Sequence, residues 1–214
     1  MLRALQVVVV VVVVVVAALP ARADQIGDMV KAGPLVRIES DPKTGKLKQA
    51  VCITDVDAPL ETVWKVLLDY PAYKFFMPRV DKIEVVYDGK DALVSLKLDT
   101  PLVSTTYTNR MSADDVTHTI SVKNEKGDLA GSRYFWRLTA VGEGRTRITY
   151  SGLIKNYSAM AESFEDEQQT LSIGINVVSL MATAKAVQAR AELLHAQAQK
   201  AQAAAPATTT TTAP

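Results

Sequence analysis

Groups that titrate, ligate metals or attack electrophiles are scarce in this 214-residue chain. It holds two histidines, His118 and His195, and one cysteine, Cys52. A metal centre needs His, Cys or carboxylate ligands converging at usable spacing. One cysteine and two histidines far apart do not supply that, so neither metal nor cofactor is expected. Cys52 sits among apolar neighbours in Ala50-Val51-Cys52-Ile53, the setting of a small hydrophobe rather than a nucleophile. The carboxylate clusters have structural explanations: Asp114-Asp115 reads as a turn, and Glu165-Asp166-Glu167 as the acidic start of a helix. No nucleophile elbow, phosphate-binding loop or dinucleotide fingerprint occurs. No catalytic residue is assigned, and the balance leans away from an enzyme.

Alternation along strands singles out a different set, suited to binding rather than bond-making. Tyr107 and Asn109 share a face with Met111, so Asn109 is either buried and paired or aimed at a ligand. His118 alternates with Val116, Ile120 and Val122, which assigns it to their face. There it is either a polar anchor in a cavity or a satisfied edge histidine. Trp136, Tyr150 and Phe76 join them not by alternation but because the fold that a family resemblance implies would set them at a cavity wall or mouth. A ligand pocket is mostly apolar with a few placed polar groups, so Tyr107, Asn109, His118, Trp136, Tyr150 and Phe76 are the candidate ligand-binding residues.

The elements that must carry them follow from periodicity. A short helix is expected over Gln25–Lys31, then a hairpin of Leu35–Ile38 and Leu47–Val56 around the turn cluster Asp41-Pro42-Lys43-Thr44-Gly45. Asp57 is placed to cap a helix whose apolar stripe is Val63, Trp64, Leu67 and Leu68, ended by Pro71. A second short helical piece covers Ala72–Met77. Strands follow at Val80–Tyr87, Ala92–Leu98, Thr105–Met111, Val116–Lys123, Arg133–Val141 and Arg147–Ile154, joined by hairpin-type turns into an antiparallel meander. A long helix is expected from Asp166 to about His195. It is apolar on nearly every side between Leu171 and Met181, which asks for broad cover. Its Gly174, Ala182, Ala184 and Ala186 either open volume for a guest or simply favour the helix.

Asp57-Ala58-Pro59-Leu60-Glu61-Thr62-Val63-Trp64, running on to Leu67-Leu68-Asp69-Tyr70 and followed by Tyr73, Phe76 and Met77-Pro78, resembles the opening of the START-like (SRPBCC) superfamily, of the polyketide-cyclase and coenzyme-Q-binding type. Arg133–Leu138 and Gly142-x-Gly144 leading into Thr146–Tyr150 resemble its aromatic and final strands, so the likeness runs from about Leu47 to Ala191. The resemblance implies an α+β, helix-grip fold: a curved antiparallel sheet wrapped around a long C-terminal helix, with two short helices after the first strands and a deep apolar cavity. Members bind lipids, quinones, sterols or polyketides, or act on them, and some are protein-interaction modules.

The ends are set apart by composition. Met1-Leu2-Arg3, an apolar run through Leu19 and the Ala21-Arg22-Ala23 box make residues 1–23 a secretory signal peptide, cleaved after Ala23, against the rival of an uncleaved anchor. Residues 24–34 form an N-terminal segment, 35–196 the domain, and 197–214 a disordered Ala/Pro/Thr-rich tail. A formal charge of +1 gives no pull toward nucleic acid. The expectation is a secreted or periplasmic binder or carrier of a hydrophobic small molecule such as a lipid, quinone or polyketide, with transient membrane contact for ligand exchange. A cyclase/aromatase-type enzyme or an interaction module with a filled cavity is the alternative.

Overall fold

The computed structural model describes residues 27–45, 47–99, 104–153 and 169–204. Residues 1–23, expected as a signal peptide, and residues 205–214 lie outside them. So do Glu165, Asp166 and Glu167, expected to open the last helix.

Eight antiparallel strands form one sheet: β1 (Leu35–Ser40), β2 (Leu47–Val56), β3 (Val80–Asp88), β4 (Asp91–Asp99), β5 (Ser104–Asp114), β6 (Thr119–Gly127), β7 (Arg133–Ala140) and β8 (Thr146–Leu153). Their order is β1-β2-β8-β7-β6-β5-β4-β3, so the last strand of the meander closes against the N-terminal hairpin. Between β2 and β3 run α1 (Leu60–Leu68), a 3₁₀ turn (Tyr70–Ala72) and the four-residue α2 (Tyr73–Phe76); α3 (Gln169–Ala204) ends the chain. This is the helix-grip fold, with two short helices after the early strands and a long helix in the grip.

Strand alternation decides which side becomes core. Ala92, Val94 and Leu96 of β4, Ile120 and Val122 of β6, Trp136 and Leu138 of β7, and Ile148 and Tyr150 of β8 are buried on one face. From α3, Leu180, Ala184, Val187 and Ala191 meet that face, spaced four, three and four residues apart as a single helical stripe. Ala184 and Ala191 therefore bring the helix close to the sheet. A polar chain fixes the helix position: Thr54 Oγ1 donates to Gln188 Oε1, Gln188 Nε2 to Glu192 Oε1, and the Asp57 backbone N–H to the same Glu192 oxygen.

Three expectations need correction. Asp57 does not cap α1: Pro59 occupies the N-cap, with no side-chain cap, and its carbonyl accepts from Thr62 and Val63 N–H. A proline there has no N–H to leave unpaired. The solvated tail does not begin at residue 197, because α3 continues to Ala204 with residues 196–204 exposed. Alanine and glutamine are strong helix formers, and an established helix extends at one bond per residue. Finally, α3 is not covered on nearly every side, since Ile175 and Val178 are exposed.

Candidate functional site

A cavity of about 170 Å³, partly open to solvent, lies between the concave face of the sheet and α3. Its floor is aromatic. Trp136 stacks on Tyr150 with centroids 3.7 Å apart and planes at 14°, and Tyr134 extends the stack to Tyr150 at 6.2 Å and 27°. The three rings come together because β7 and β8 pair Trp136 with Tyr150 and Tyr134 with Gly152. Gly152 is required there: a Cβ would run into the Tyr134 ring and lie 3.1 Å from the Arg133 carbonyl oxygen. Met77 and Pro78, from the segment after α2, and Leu180 and Thr183 of α3 complete the wall.

The wall is uncharged. Its ionisable members are tyrosines, and burial pushes each upward: Tyr134 to about 12, and Tyr107, Tyr73 and Tyr150 well above the ordinary phenol range. Tyr73 also donates its hydroxyl to the Leu67 carbonyl at 2.6 Å, which ties α2 to the end of α1. All four stay protonated at neutral pH. The site therefore offers apolar surface, phenol groups, the Ser179 and Thr183 hydroxyls and one carboxamide, Asn109, which is only 7% exposed and whose Oδ1 has no partner among the described residues.

Tyr107, Asn109, Trp136 and Tyr150 all line this one cavity. Two other candidates do not. The chain does not enter β6 at Val116: Asp114 Oδ1 accepts from the Val116 and Thr117 N–H groups at 2.9 and 3.1 Å, winding residues 115–118 into a turn. His118 ends that turn in the left-handed region at φ 48°, so the alternation that grouped it with Ile120 starts only at Thr119. Its ring instead meets the edge of Trp64 at 5.4 Å, with Nε2 3.5 Å from Glu61 Oε1, while the Trp64 indole donates to Asp115. Phe76 packs edge-on against Tyr73 at 5.5 Å and does not line the wall. The next residue, Met77, takes that place.

Sequence reasoning missed Ser179 and Thr183 on the cavity wall, and the buried Asn124. Asn124 stands opposite Asn109 across β5 and β6, 1% exposed, with neither side-chain polar atom partnered among the described residues. Continuing the Ile120–Val122 alternation by one step would have found it. Among the described residues no group of His, Cys, Asp and Glu is arranged to hold a metal, and no helix is long and apolar enough to cross a membrane. Burial raises the Cys52 thiol to about 11, despite an opposing influence of Lys185.

The sequence profile described as "Polyketide cyclase / dehydrase and lipid transport" matches residues 56–170, more than half of the chain. The chain belongs to that family. The match begins at the last residue of β2 and takes in the strands that supply Tyr107, Asn109, Trp136 and Tyr150. Solved structures share the family fold at low identity. The Zhui aromatase/cyclase from Streptomyces sp. R1128 superposes with a TM-score of 0.59 at 22% identity, covering 68% of this chain and 93% of its own. A START superfamily protein from Mycobacterium smegmatis gives 0.55 at 17%, covering 68% and 98%. Norcoclaurine synthase from Thalictrum flavum, solved with dopamine and hydroxybenzaldehyde, gives 0.52 at 15%, covering 78% and 90%. No curated protein sequence matches the chain.

Proposed function

We propose that the protein is an exported binder or carrier of a hydrophobic small molecule, held in the cavity between the sheet and α3. The observation that carries this reading is the wall itself: apolar and aromatic, uncharged, and formed by four of the six candidate binding residues. Such a wall gains affinity by burying apolar ligand surface, at about 25 cal/mol per Å². The leader pattern of residues 1–23 supports export to a periplasm or the outside. Phe75, 82% exposed on α2 two residues from Met77, is suited to brief membrane contact during ligand exchange.

The alternative is a cyclase- or aromatase-type activity on a hydrophobic substrate, which the family description and the aromatase/cyclase neighbours favour. In that case the cavity would orient a reactive chain and Asn109 or a tyrosine would polarise a carbonyl. Against it, no described wall residue changes charge near neutrality, where a general base works best.

Native mass spectrometry of the mature protein, followed by organic extraction, tests the proposal. A retained apolar species is the expected result. A mass without ligand, together with no uptake of an apolar dye or added lipid extract, would refute it. Turnover of an extracted compound would transfer the assignment to the enzyme.

A further inference from the structure

On the outer face of the sheet, turned away from α3, cations stand in an arrangement that folding alone does not favour. Arg110 of β5 is opposed by Lys123 of β6, and Lys123 by Arg133 of β7. Like charges directly opposed across strands are destabilising. Arg110 is compensated: its Nη1 meets Asp88 and Asp91 at 3.0 and 3.2 Å, and its Nε meets Glu125 at 2.9 Å. The side chains of Lys123 and Arg133 have neither a carboxylate nor a hydrogen-bond partner among the described residues.

Arg133 lines an open cleft on this face, about 580 Å³ in volume, which is the usual size of a small-molecule site. Phe135 and Ser151, opposed across β7 and β8, line it as well. Ser151 is only 8% exposed, yet its hydroxyl makes no hydrogen bond among the described residues. Buried polar groups ordinarily have partners, and this one borders a space from which a partner could come. The two other charges of the cleft are already occupied. Glu39 binds Arg37 at 3.0 Å, and Lys48 binds Asp41 at 3.4 Å. A further cation, the Arg137 guanidinium, stands 5.4 Å above the Phe135 ring.

We infer that this cleft is a second binding site, separate from the cavity, for a small organic phosphate. Two unpaired cations match the charge of about −1.5 to −2 that a phosphate monoester carries at neutral pH. The phosphate lies against Arg133 with Lys123 beside it, so the opposed cations become two charge-assisted contacts, one of them of the forked kind that arginine offers to phosphate. The Ser151 hydroxyl bonds the polar atoms next to it, and the organic stem rests on Phe135. The cavity under α3 cannot serve this ligand, since its wall is uncharged. Tyr134 borders both spaces, so the two sites have to be followed separately.

The experiment is calorimetric titration of the mature protein with phenyl phosphate, inorganic phosphate and benzoate. Phenyl phosphate should bind best, inorganic phosphate less well for want of a stem, and benzoate less well for want of a charge. Added salt should weaken all three. R133Q should lower affinity for phenyl phosphate about tenfold, equivalent to about 1.4 kcal/mol, and S151A should lower it by a smaller factor. K123Q separates binding from folding: it should weaken phenyl phosphate while leaving the Tm of the empty protein unchanged or higher, because it removes an opposed charge. An apolar dye in the cavity should keep its affinity in all three variants. Absence of phenyl phosphate binding at millimolar concentration overturns the site. So does binding that none of the substitutions weakens, benzoate binding more tightly than phenyl phosphate, or capture by phosphatidylglycerol vesicles alone. The reading of the cavity rests on other residues and survives each of these results.

Discussion

Replacing Gly152 by alanine tests the aromatic floor directly, because the size of the effect depends on one ring. Gly152 lies in the interior of β8, where glycine ordinarily costs about 0.5–1 kcal/mol relative to alanine through backbone entropy. With nothing above it, the substitution would stabilise the protein. Here the new methyl overlaps the Tyr134 ring, 3.2 Å from Cε1, and sits 3.1 Å from the Arg133 carbonyl oxygen. That carbonyl belongs to β7 and is held by the ladder, so the ring has to give way. It can move toward the apolar cavity or toward a second, more open one that it also lines. Overpacking of this kind costs about 1–3 kcal/mol, which in a domain of this size lowers Tm by about 3–10 °C. Thermal unfolding followed by circular dichroism measures the loss, and titration with an apolar dye should show weakened binding as the ring fills the void. In a Tyr134→Ala background only the 3.1 Å approach to the Arg133 carbonyl remains, and Gly152→Ala should cost clearly less than in the wild-type protein. Equal losses in both backgrounds would refute the account, since the methyl would then be meeting something other than the ring.

Two further outcomes follow from the geometry. Asp55→Asn should destabilise by about 2 kcal/mol, the scale of a hydrogen bond to a charged group. Asp55 receives Arg147 at 2.7 and 2.9 Å and Arg145 at 3.1 Å across the β2–β8 pair, and is 11% exposed. A midpoint in urea unchanged from wild type would sink that claim. High pH should unfold the protein through its buried phenols. Burial holds Tyr70 and Tyr134 up to about 12, and Tyr73, Tyr107 and Tyr150 also above their ordinary value. In the unfolded chain these groups ionise near pH 10, so their stabilising contribution is complete below that pH and is lost as pH rises through the folded values. Phenolate absorbance should therefore appear together with loss of near-ultraviolet dichroism, and separate titration of the five near pH 10 with the fold intact would contradict it.

Much of this site was legible because strand alternation preserves parity. Tyr107 and Asn109 were grouped with Met111 by counting in twos, and β5 keeps that count, while Trp136 and Tyr150 were placed by the fold that the family resemblance implies. His118 shows where counting fails. The Asp114 carboxylate captures two backbone N–H groups, the next four residues wind into a turn, and parity restarts beyond them. Asn124 was lost for the opposite reason. Asn-Glu-Lys-Gly reads locally as a turn, but pairing of β6 with β5 carries the strand on until Gly127 meets Tyr107. Gly127 can do so because its φ is +90°, and a Cβ there would strike the Thr106 and Tyr107 backbone. Phe76 and Met77 exchange roles because α2, which ends at Phe76, is too short for periodicity to assign a face.

The same cavity that recommends a ligand also burdens the empty protein. In a core, enclosed void costs about 24 cal/mol per Å³. By that measure a volume of about 170 Å³ corresponds to about 4 kcal/mol if kept dry, less where solvent enters. The open amides of Asn109 and Asn124 add to this in the same direction. Set against a typical net stability of about 5–15 kcal/mol, those terms make the empty form expensive relative to the filled one. A ligand that fills the void removes the cavity term, and its binding adds stability in proportion to the logarithm of its free concentration over Kd. Packing the void with larger side chains would be the simpler route to a stable fold. Among the large side chains of the wall this chain keeps three smaller polar ones, Ser179 and Thr183 on the helix and Asn109 on β5, and the void stays open. That choice costs stability in the absence of a guest and is accounted for by one.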